Sequence, residues 1–131
     1  MSQIVYSENN TVFISIGVTN LNRAKKFYID ILGLEINFDG GEEVGWCELK
    51  VPGNDVLVGL NLHKEDELVI GSTSLCLTVK DLDATREFLL AEKVKVGEIS
   101  DIPDMVSMMR VTDSEGNSIL CVSDPRVKTQ E

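Results

Sequence analysis

Residues 18–27, VTNLNRAKKF, recur in altered form 61 residues later, at residues 79–88, as VKDLDATREF. The two segments share their first, fourth and tenth residues, and asparagine in the first segment becomes aspartate in the second at the third and fifth positions. Similarity at a fixed separation is typical of a chain built from two copies of one supersecondary unit. The surroundings of the segments test this interpretation.

Each copy follows a run in which apolar and polar residues alternate. Each copy is also the start of a segment whose apolar residues recur with helical spacing. Residues 12–18 and 74–79 alternate as strands with one buried face do. Asn20 and Asp81 then suit helix N-caps, and Gly33 suits the end of the first helix. Apolar residues with helical spacing follow both caps: Leu21, Ala24, Phe27, Tyr28 and Ile31 in the first copy, and Leu82, Thr85, Phe88 and Leu89 in the second.

Three further strand candidates follow each predicted helix, at residues 34–38, 44–51 and 56–62 and at residues 94–99, 106–112 and 119–122. A Gly-Asn pair suited to a tight turn lies in residues 52–55 and again in residues 114–117. The pattern predicts an α+β fold of two tandem βαβββ modules, at about residues 11–63 and 73–125, with a polar linker at about 64–72. We expect residues 1–131 to form one domain.

Composition limits the partners and the compartment. A net charge of −10 repels phosphate backbones and anionic lipids, so we expect no nucleic acid or membrane partner. The acidity is explained either by solubility alone or by attraction for a cationic ligand. No basic and apolar leader is present, which predicts a cytoplasmic protein. Cys47, Cys76 and Cys121 are expected to be buried, reduced thiols, and the single histidine, His63, argues against a Cys-His nucleophile.

Residues 18–34, VTNLNRAKKFYIDILGL, resemble the opening V-x-D-L-x-x-A-x-x-F-Y-x-x-x-L-G-L of the vicinal oxygen chelate superfamily. Residues 113–117, DSEGN, resemble its D-P-x-G-N turn, and residues 46–53, WCELKVPG, resemble a third-strand pattern. This superfamily includes glyoxalase I, extradiol dioxygenases, fosfomycin-modifying enzymes and bleomycin-resistance binding proteins. The resemblance implies an incompletely closed, barrel-like trough of two sheets, with the helices outside and the ligand on the concave face.

Strand alternation predicts which side chains line that trough. If Ile14, Ile16 and Val18 pack under the first helix, the intervening residues face the other way. The same alternation places further residues on the trough side, namely Gly17, Lys50, Gly59, Cys76, Thr78 and Val122. The candidate ligand-binding residues are Phe13, Ser15, Trp46, Glu48, Asn61, Ser74, Met108, Arg110 and Leu120.

The metal site of the superfamily's enzymes is the feature that this sequence lacks. By resemblance, one His or Gln and one Glu from the first and last strands of each module hold a divalent metal. The matching positions are Phe13 and Ser74 on the first strands, and Leu120 with one of Leu57, Gly59 or Asn61 on the last strands. The chain has one histidine, and its two glutamines lie near its ends. The sequence therefore predicts no metal and no cofactor, and none of the metal-dependent chemistry.

Three functions stay open. A metal-free protein could bind a small planar molecule, a cation being one candidate, by stacking on Trp46 and pairing with Glu48. An enzyme without metal could use Glu48 as a base and Arg110 for an oxyanion. An interaction module would instead fill its trough with Phe13, Met108 and Leu120.

Each of these site residues also has an ordinary structural interpretation. Trp46 would then lie in the core or at its rim, Glu48 would pair with Lys50 or Arg110, and Arg110 would form a salt bridge to a neighbouring strand. We expect a homodimer by resemblance, since exposed sheet edges need cover. Whether the trough forms within one chain or across two is left open by the sequence.

Overall fold

The computed structural model describes residues 13–67 and 75–129, which form two four-stranded mixed sheets. Sheet A has the order β1-β4-β3-β2 and sheet B the order β5-β8-β7-β6. The first pair in each order is parallel and the others are antiparallel. The strands are β1 (Phe13–Val18), β2 (Glu35–Asp39), β3 (Trp46–Lys50), β4 (Leu57–Leu62), β5 (Leu75–Thr78), β6 (Ser100–Ile102), β7 (Val106–Thr112) and β8 (Ser118–Ser123). This is the predicted α+β fold of two repeated units, with sheets that do not close into a barrel.

Both predicted helices begin where the sequence predicts, and the first also ends there, but its geometry is unexpected. Helix α1 (Leu21–Lys25) continues as a π-helical segment, Lys26–Ile31, in which the Leu32 N–H donates to the Phe27 carbonyl at 3.1 Å. A short α2 (Gly41–Val44) and a 3-10 turn (Glu65–Glu67) precede α3 (Leu82–Ala91). No helix in the part of the chain that the structure describes is long and apolar enough to span a membrane.

Both predicted N-caps are confirmed. The Asn20 side chain accepts from the Arg23 N–H at 2.9 Å, and the Asp81 side chain accepts from the Ala84 N–H at 3.0 Å. Gly33 follows the first helix with φ of +76°, a left-handed conformation that favours glycine. Local signals were therefore sufficient to place the beginning of both helices and the end of the first.

Four expectations are wrong: a strand at residues 94–99, a third strand that begins at residue 44, and the burial of Phe88 and of Cys76. Residues 94–99 form only an isolated bridge, Val96 to Val111, and regular pairing begins at Ser100, because Gly97 offers no side chain to pack in that stretch. Strand β3 begins at Trp46 because α2 occupies the residues before it. Phe88 is 49% exposed, since the buried stripe of α3 is narrow, and Cys76 is exposed because its side chain is on the uncovered face of β5.

One hydrophobic core includes residues from both modules, and a buried carboxylate joins the modules beside it. The Tyr28 hydroxyl donates to Asp113 Oδ2 at 2.7 Å. The backbone N–H groups of Glu115 and Asn117 donate to Asp113 Oδ1 at 2.8 and 2.7 Å. The Asn117 amide donates to Asp113 Oδ2 at 3.1 Å and to the Gly17 carbonyl at 3.0 Å. The turn of the second module is thereby bonded to both the helix and the first strand of the first module.

An ion pair reinforces the same junction. Arg23 Nε and Nη2 donate to the two carboxylate oxygens of Glu115 at 2.6 and 2.9 Å, and the Asn20 N–H donates to Oε1 at 3.1 Å. Burial acts to raise the pKa of Glu115, but the hydrogen bonds from Arg23 and Asn20 outweigh it, so the pKa lies below its ordinary value. The folded state therefore favours the ionised carboxylate.

Replacing Tyr28 by Phe tests the junction. The variant leaves the buried Asp113 carboxylate without one of its donors, and we expect unfolding in urea to show a loss of roughly 1–3 kcal/mol. Ser100→Ala, which removes an exposed hydroxyl, is the matched control and should change the free energy of unfolding little. A Tyr28→Phe variant as stable as the wild type would contradict the role of this hydrogen bond.

Glu115→Gln tests the ion pair through pH. Because folding lowers the pKa of Glu115, its contribution is present above the unfolded pKa and is lost as pH falls through the folded one. We expect the variant to be less stable at neutral pH by roughly 1–3 kcal/mol. It should also lose less stability than the wild type on acidification, in urea titrations repeated across the acid range. Equal acid dependence of the two proteins would contradict this assignment.

Candidate functional site

One face of each sheet packs into the core, and the opposite face, which we call the open face, is uncovered. On sheet A the core side carries the fully buried Cys47, Leu49, Val58 and Leu60. The register places the predicted site residues of this module together on its open face: Phe13, Ser15, Trp46, Glu48 and Asn61. Trp46 is paired with Asn61, and Glu48 with Gly59, which is paired in turn with Ser15.

The Trp46 indole lies against the backbone of Gly59. A Cβ added at Gly59 would stand only 2.0 Å from Trp46 Cη2 and 2.2 Å from Cζ2, so only glycine leaves room for the ring here. The Phe13 ring packs edge to face against the indole, with centroids 6.0 Å apart and planes at 70°. The indole is partly buried, and these contacts hold it in one orientation on the open face.

The Glu48 carboxylate lies beside the indole and is held by neutral donors. Trp46 Nε1 donates to Oε1 at 3.1 Å, and Asn37 Nδ2 donates to Oε2 at 3.0 Å. In residues 13–67 and 75–129 no Lys, Arg or His nitrogen lies within 4.0 Å of Glu48, and Lys50 is instead 3.8 Å from Asp55. The predicted alternative, an ion pair of Glu48 with Lys50 or Arg110, is therefore not formed in these residues.

Two residues of this face were missed from the sequence. Phe38 is paired with Glu48 and is 49% exposed, and Asn37 holds the Glu48 carboxylate. The register of β2 shifts between Ile36 and Phe38, and such an irregularity breaks the alternation on which the face assignment relied. The signal that could have found the irregularity is the single polar Asn37 between two large apolar residues.

The open face of sheet B carries a different set of side chains. Arg110 is paired with Leu120, which is paired with Cys76, while Met108 is paired with Val122. Arg110 is exposed, and its Nη1 donates to Ser118 Oγ at 3.4 Å. No carboxylate of the described residues lies within ion-pair distance of this guanidinium, so the expected salt bridge is not seen there. Ser74 lies outside the described residues.

The positions implied for a metal do not suit one. Among the implied positions that the structure describes, Phe13, Leu57, Gly59 and Leu120 have no side-chain atom that could bind a metal, and Asn61 has only an amide. Within the described residues, no group of three or more His, Cys, Asp and Glu side chains is placed to hold a metal ion. The described residues therefore do not fit the divalent metal that the resemblance implies.

An apolar cavity lies elsewhere, between the end of the π-helical segment and α3. Its volume is about 400 Å³. The single hydroxyl in its lining, that of Thr85, donates to the Asp81 carbonyl at 2.7 Å. The cavity is lined by Ile31, Leu32, Leu77, Val79, Ala84, Thr85, Phe88, Leu89 and Cys121. The lining has no charged side chain, whereas the open faces carry Glu48 and Arg110, so we place the candidate site on the open faces.

Comparison with solved structures shows the same fold in several proteins. The antibiotic-binding protein TnmS3 from a Streptomyces species is 23% identical, with a TM-score of 0.75, covering 95% of this chain and 99% of its own. A superfamily member from Sphaerobacter thermophilus is 22% identical, with a TM-score of 0.76 and coverage of 94% and 100%. Lactoylglutathione lyase from Agrobacterium tumefaciens is 16% identical, with a TM-score of 0.71 and coverage of 90% and 96%.

These similarities establish the fold, and the family rests on a separate match. No curated protein matches the chain significantly. The profile of the Glyoxalase/Bleomycin resistance protein/Dioxygenase superfamily matches residues 11–120. That match includes both repeated segments and most of the two sheets. The chain therefore belongs to the Glyoxalase/Bleomycin resistance protein/Dioxygenase superfamily.

Proposed function

We propose that this protein is a metal-free binding protein for a small planar molecule, which stacks on Trp46 and places a positively charged group at Glu48. The observation that carries the proposal is the pairing of an immobilised indole with a carboxylate whose hydrogen-bond partners are neutral. Neutral donors orient a carboxylate without neutralising it, so its charge stays available to a cation. The rigid ring is ready to stack without losing further side-chain entropy.

The charge of the chain and its relatives support this proposal. A net charge of −10 attracts cations from solution, which raises the rate of encounter with a cationic ligand. TnmS3, which has the same fold, is an antibiotic-binding protein. The positions on β1, β4 and β8 that the resemblance implies for metal ligands carry no His, Gln or Glu. This favours binding over metal-dependent catalysis.

The free cysteines Cys47, Cys76 and Cys121 agree with the reducing cytoplasm, where we place the protein.

We propose further that the binding trough has walls from two copies of the chain. Phe13 is 43% exposed and Phe38 is 49% exposed on the open face of sheet A, and Arg110 is exposed on that of sheet B. If either open face covered the other within one chain, these side chains would be buried. A second copy, placing its sheet B opposite this sheet A, would cover the aromatic residues and bring opposite charges into one trough.

Binding of the planar cation proflavine tests the ligand proposal. The wild type should bind it with saturation, measured by calorimetry and by the visible absorbance of the dye. Glu48→Gln should weaken binding at least tenfold, because a charge-assisted contact contributes roughly 1.5–3 kcal/mol. Trp46→Ala should weaken it at least as much through lost stacking, while Trp46→Phe keeps part of the affinity.

Controls separate this site from general acidity. Glu92→Gln removes an exposed carboxylate at the end of α3 and should bind proflavine as the wild type does. Trp46 is the only tryptophan, so proflavine bound at this site should quench the intrinsic fluorescence directly. Wild-type affinity in Glu48→Gln and in Trp46→Ala, each with unchanged stability, would reject the proposed site.

The assembly is tested by sedimentation velocity over a range of concentrations. We expect a dimer of the 14.5 kDa chain, and we expect Phe13→Ser and Phe38→Ser to shift the equilibrium towards the monomer at least tenfold. The reason is that both substitutions remove apolar area that a second copy would cover. The control is Met105→Ser, which changes an apolar side chain that is 72% exposed outside both open faces. A strictly monomeric wild type at high concentration would contradict the two-chain trough.

A further inference from the structure

Glu48 and Arg110 occupy corresponding positions in the two modules. In each sheet one row of paired residues crosses three strands: Glu48, Gly59 and Ser15 in sheet A, and Arg110, Leu120 and Cys76 in sheet B. Ser15 and Cys76 are 61 residues apart, as are Gly59 and Leu120, the separation of the repeated segments themselves. At the same place on the two open faces, one module therefore carries a carboxylate and the other a guanidinium.

Both charges are available to a ligand. The Glu48 carboxylate accepts from the neutral groups of Trp46 and Asn37. The Arg110 guanidinium is exposed, and its single side-chain hydrogen bond to a described residue is the long contact of 3.4 Å to Ser118. Neither charge is neutralised within the described residues. Two charges of opposite sign that have no ionic partner, with planar and apolar groups around them, are suited to a molecule that is itself charged at both ends.

The apolar residues around each charge also differ. Beside Glu48 lie the rings of Trp46 and Phe38, which suit stacking, whereas Arg110 is flanked on its face by the unbranched Met108 and by Leu120. Stacking at one charge and flexible apolar contact at the other would orient an elongated ligand in one direction.

We propose that the ligand is dipolar, with a planar aromatic group carrying a cation at Glu48 and an anionic group, such as a carboxylate or phenolate, at Arg110 of the second copy. This inference rests on the proposed function and on its two-chain trough. The planar fork of Arg110 matches the two oxygens of a carboxylate, so it would select ligands by their anionic end. Its role would be specificity, since affinity for the aromatic cation alone would depend on Glu48 and Trp46.

Three acridine probes with the same ring system test the inference by calorimetry. They are an aminoacridine, which is a cation, an aminoacridine carboxylic acid, which is a zwitterion, and an acridine carboxylic acid, which lacks the amino group. We expect the wild type to bind the zwitterion at least tenfold more tightly than the cation. Arg110→Gln should abolish that preference, and Arg110→Lys should keep part of it. Arg86→Gln, an arginine outside the open faces, should change neither affinity.

The outcomes distinguish this inference from the proposed function. If the cation binds and depends on Glu48, but the zwitterion shows no preference or keeps it in Arg110→Gln, the dipolar ligand is wrong and the binding site stands. If no probe binds the wild type, both are wrong. In the absence of any probe, Arg110→Gln could weaken dimer association tenfold, with no further loss when Glu48→Gln is added to the same chain. The two side chains would then pair directly across the interface, and the inference is overturned.

Discussion

The buried Asp113 carboxylate is the group on which the arrangement of the two modules depends. It accepts four hydrogen bonds, one of them from the Tyr28 hydroxyl of the other module. A buried charge is costly unless it is satisfied by donors, so the turn at residues 113–117 is stable only where Tyr28 and the backbone of that turn converge. Two of the three segments that carry the superfamily resemblance, residues 18–34 and 113–117, are therefore hydrogen-bonded to each other through Tyr28 and Asp113.

The junction is asymmetric although the modules are repeats. In the first module the turn at residues 52–55 carries Pro, Gly, Asn and Asp, and the helix of the second module has Phe88 and Leu89 at the positions of Phe27 and Tyr28. The second helix thus lacks the hydroxyl that the first uses, and Phe88 is left exposed. One strong polar contact, supported by the Arg23 to Glu115 ion pair, is enough to fix the modules because the shared apolar core supplies most of the burial.

The sequence predicted those features that depend on local chemistry. The caps at Asn20 and Asp81 and the alternation of β1, β3, β7 and β8 follow from short-range rules, and the structure has them. The sequence analysis did not predict the irregular register of β2, for which Asn37 is the single local signal, or the pairing that begins at Ser100, since both depend on neighbouring strands. The partner of Asp113 lies 85 residues away, beyond any local pattern. The ligand-binding roles of the candidate residues remain predictions for the same reason: the molecule that would contact them lies outside the chain.

Alternation separates the residues that hold the fold from those that meet a ligand. Cys47 and Leu49 are fully buried on one side of β3, while Trp46 and Glu48 lie on the other. A substitution on the open face therefore leaves the buried side of the same strand unchanged, so members of one fold family can differ widely in chemistry. Gly59 is an exception within that face, because its missing side chain is what admits the indole. Leu120 stands at the corresponding place in sheet B, and the bulk there excludes a second indole of the same orientation. The two open faces have thus diverged into an aromatic, acidic wall and an apolar, basic one, although the repeats beneath them still share their caps and core.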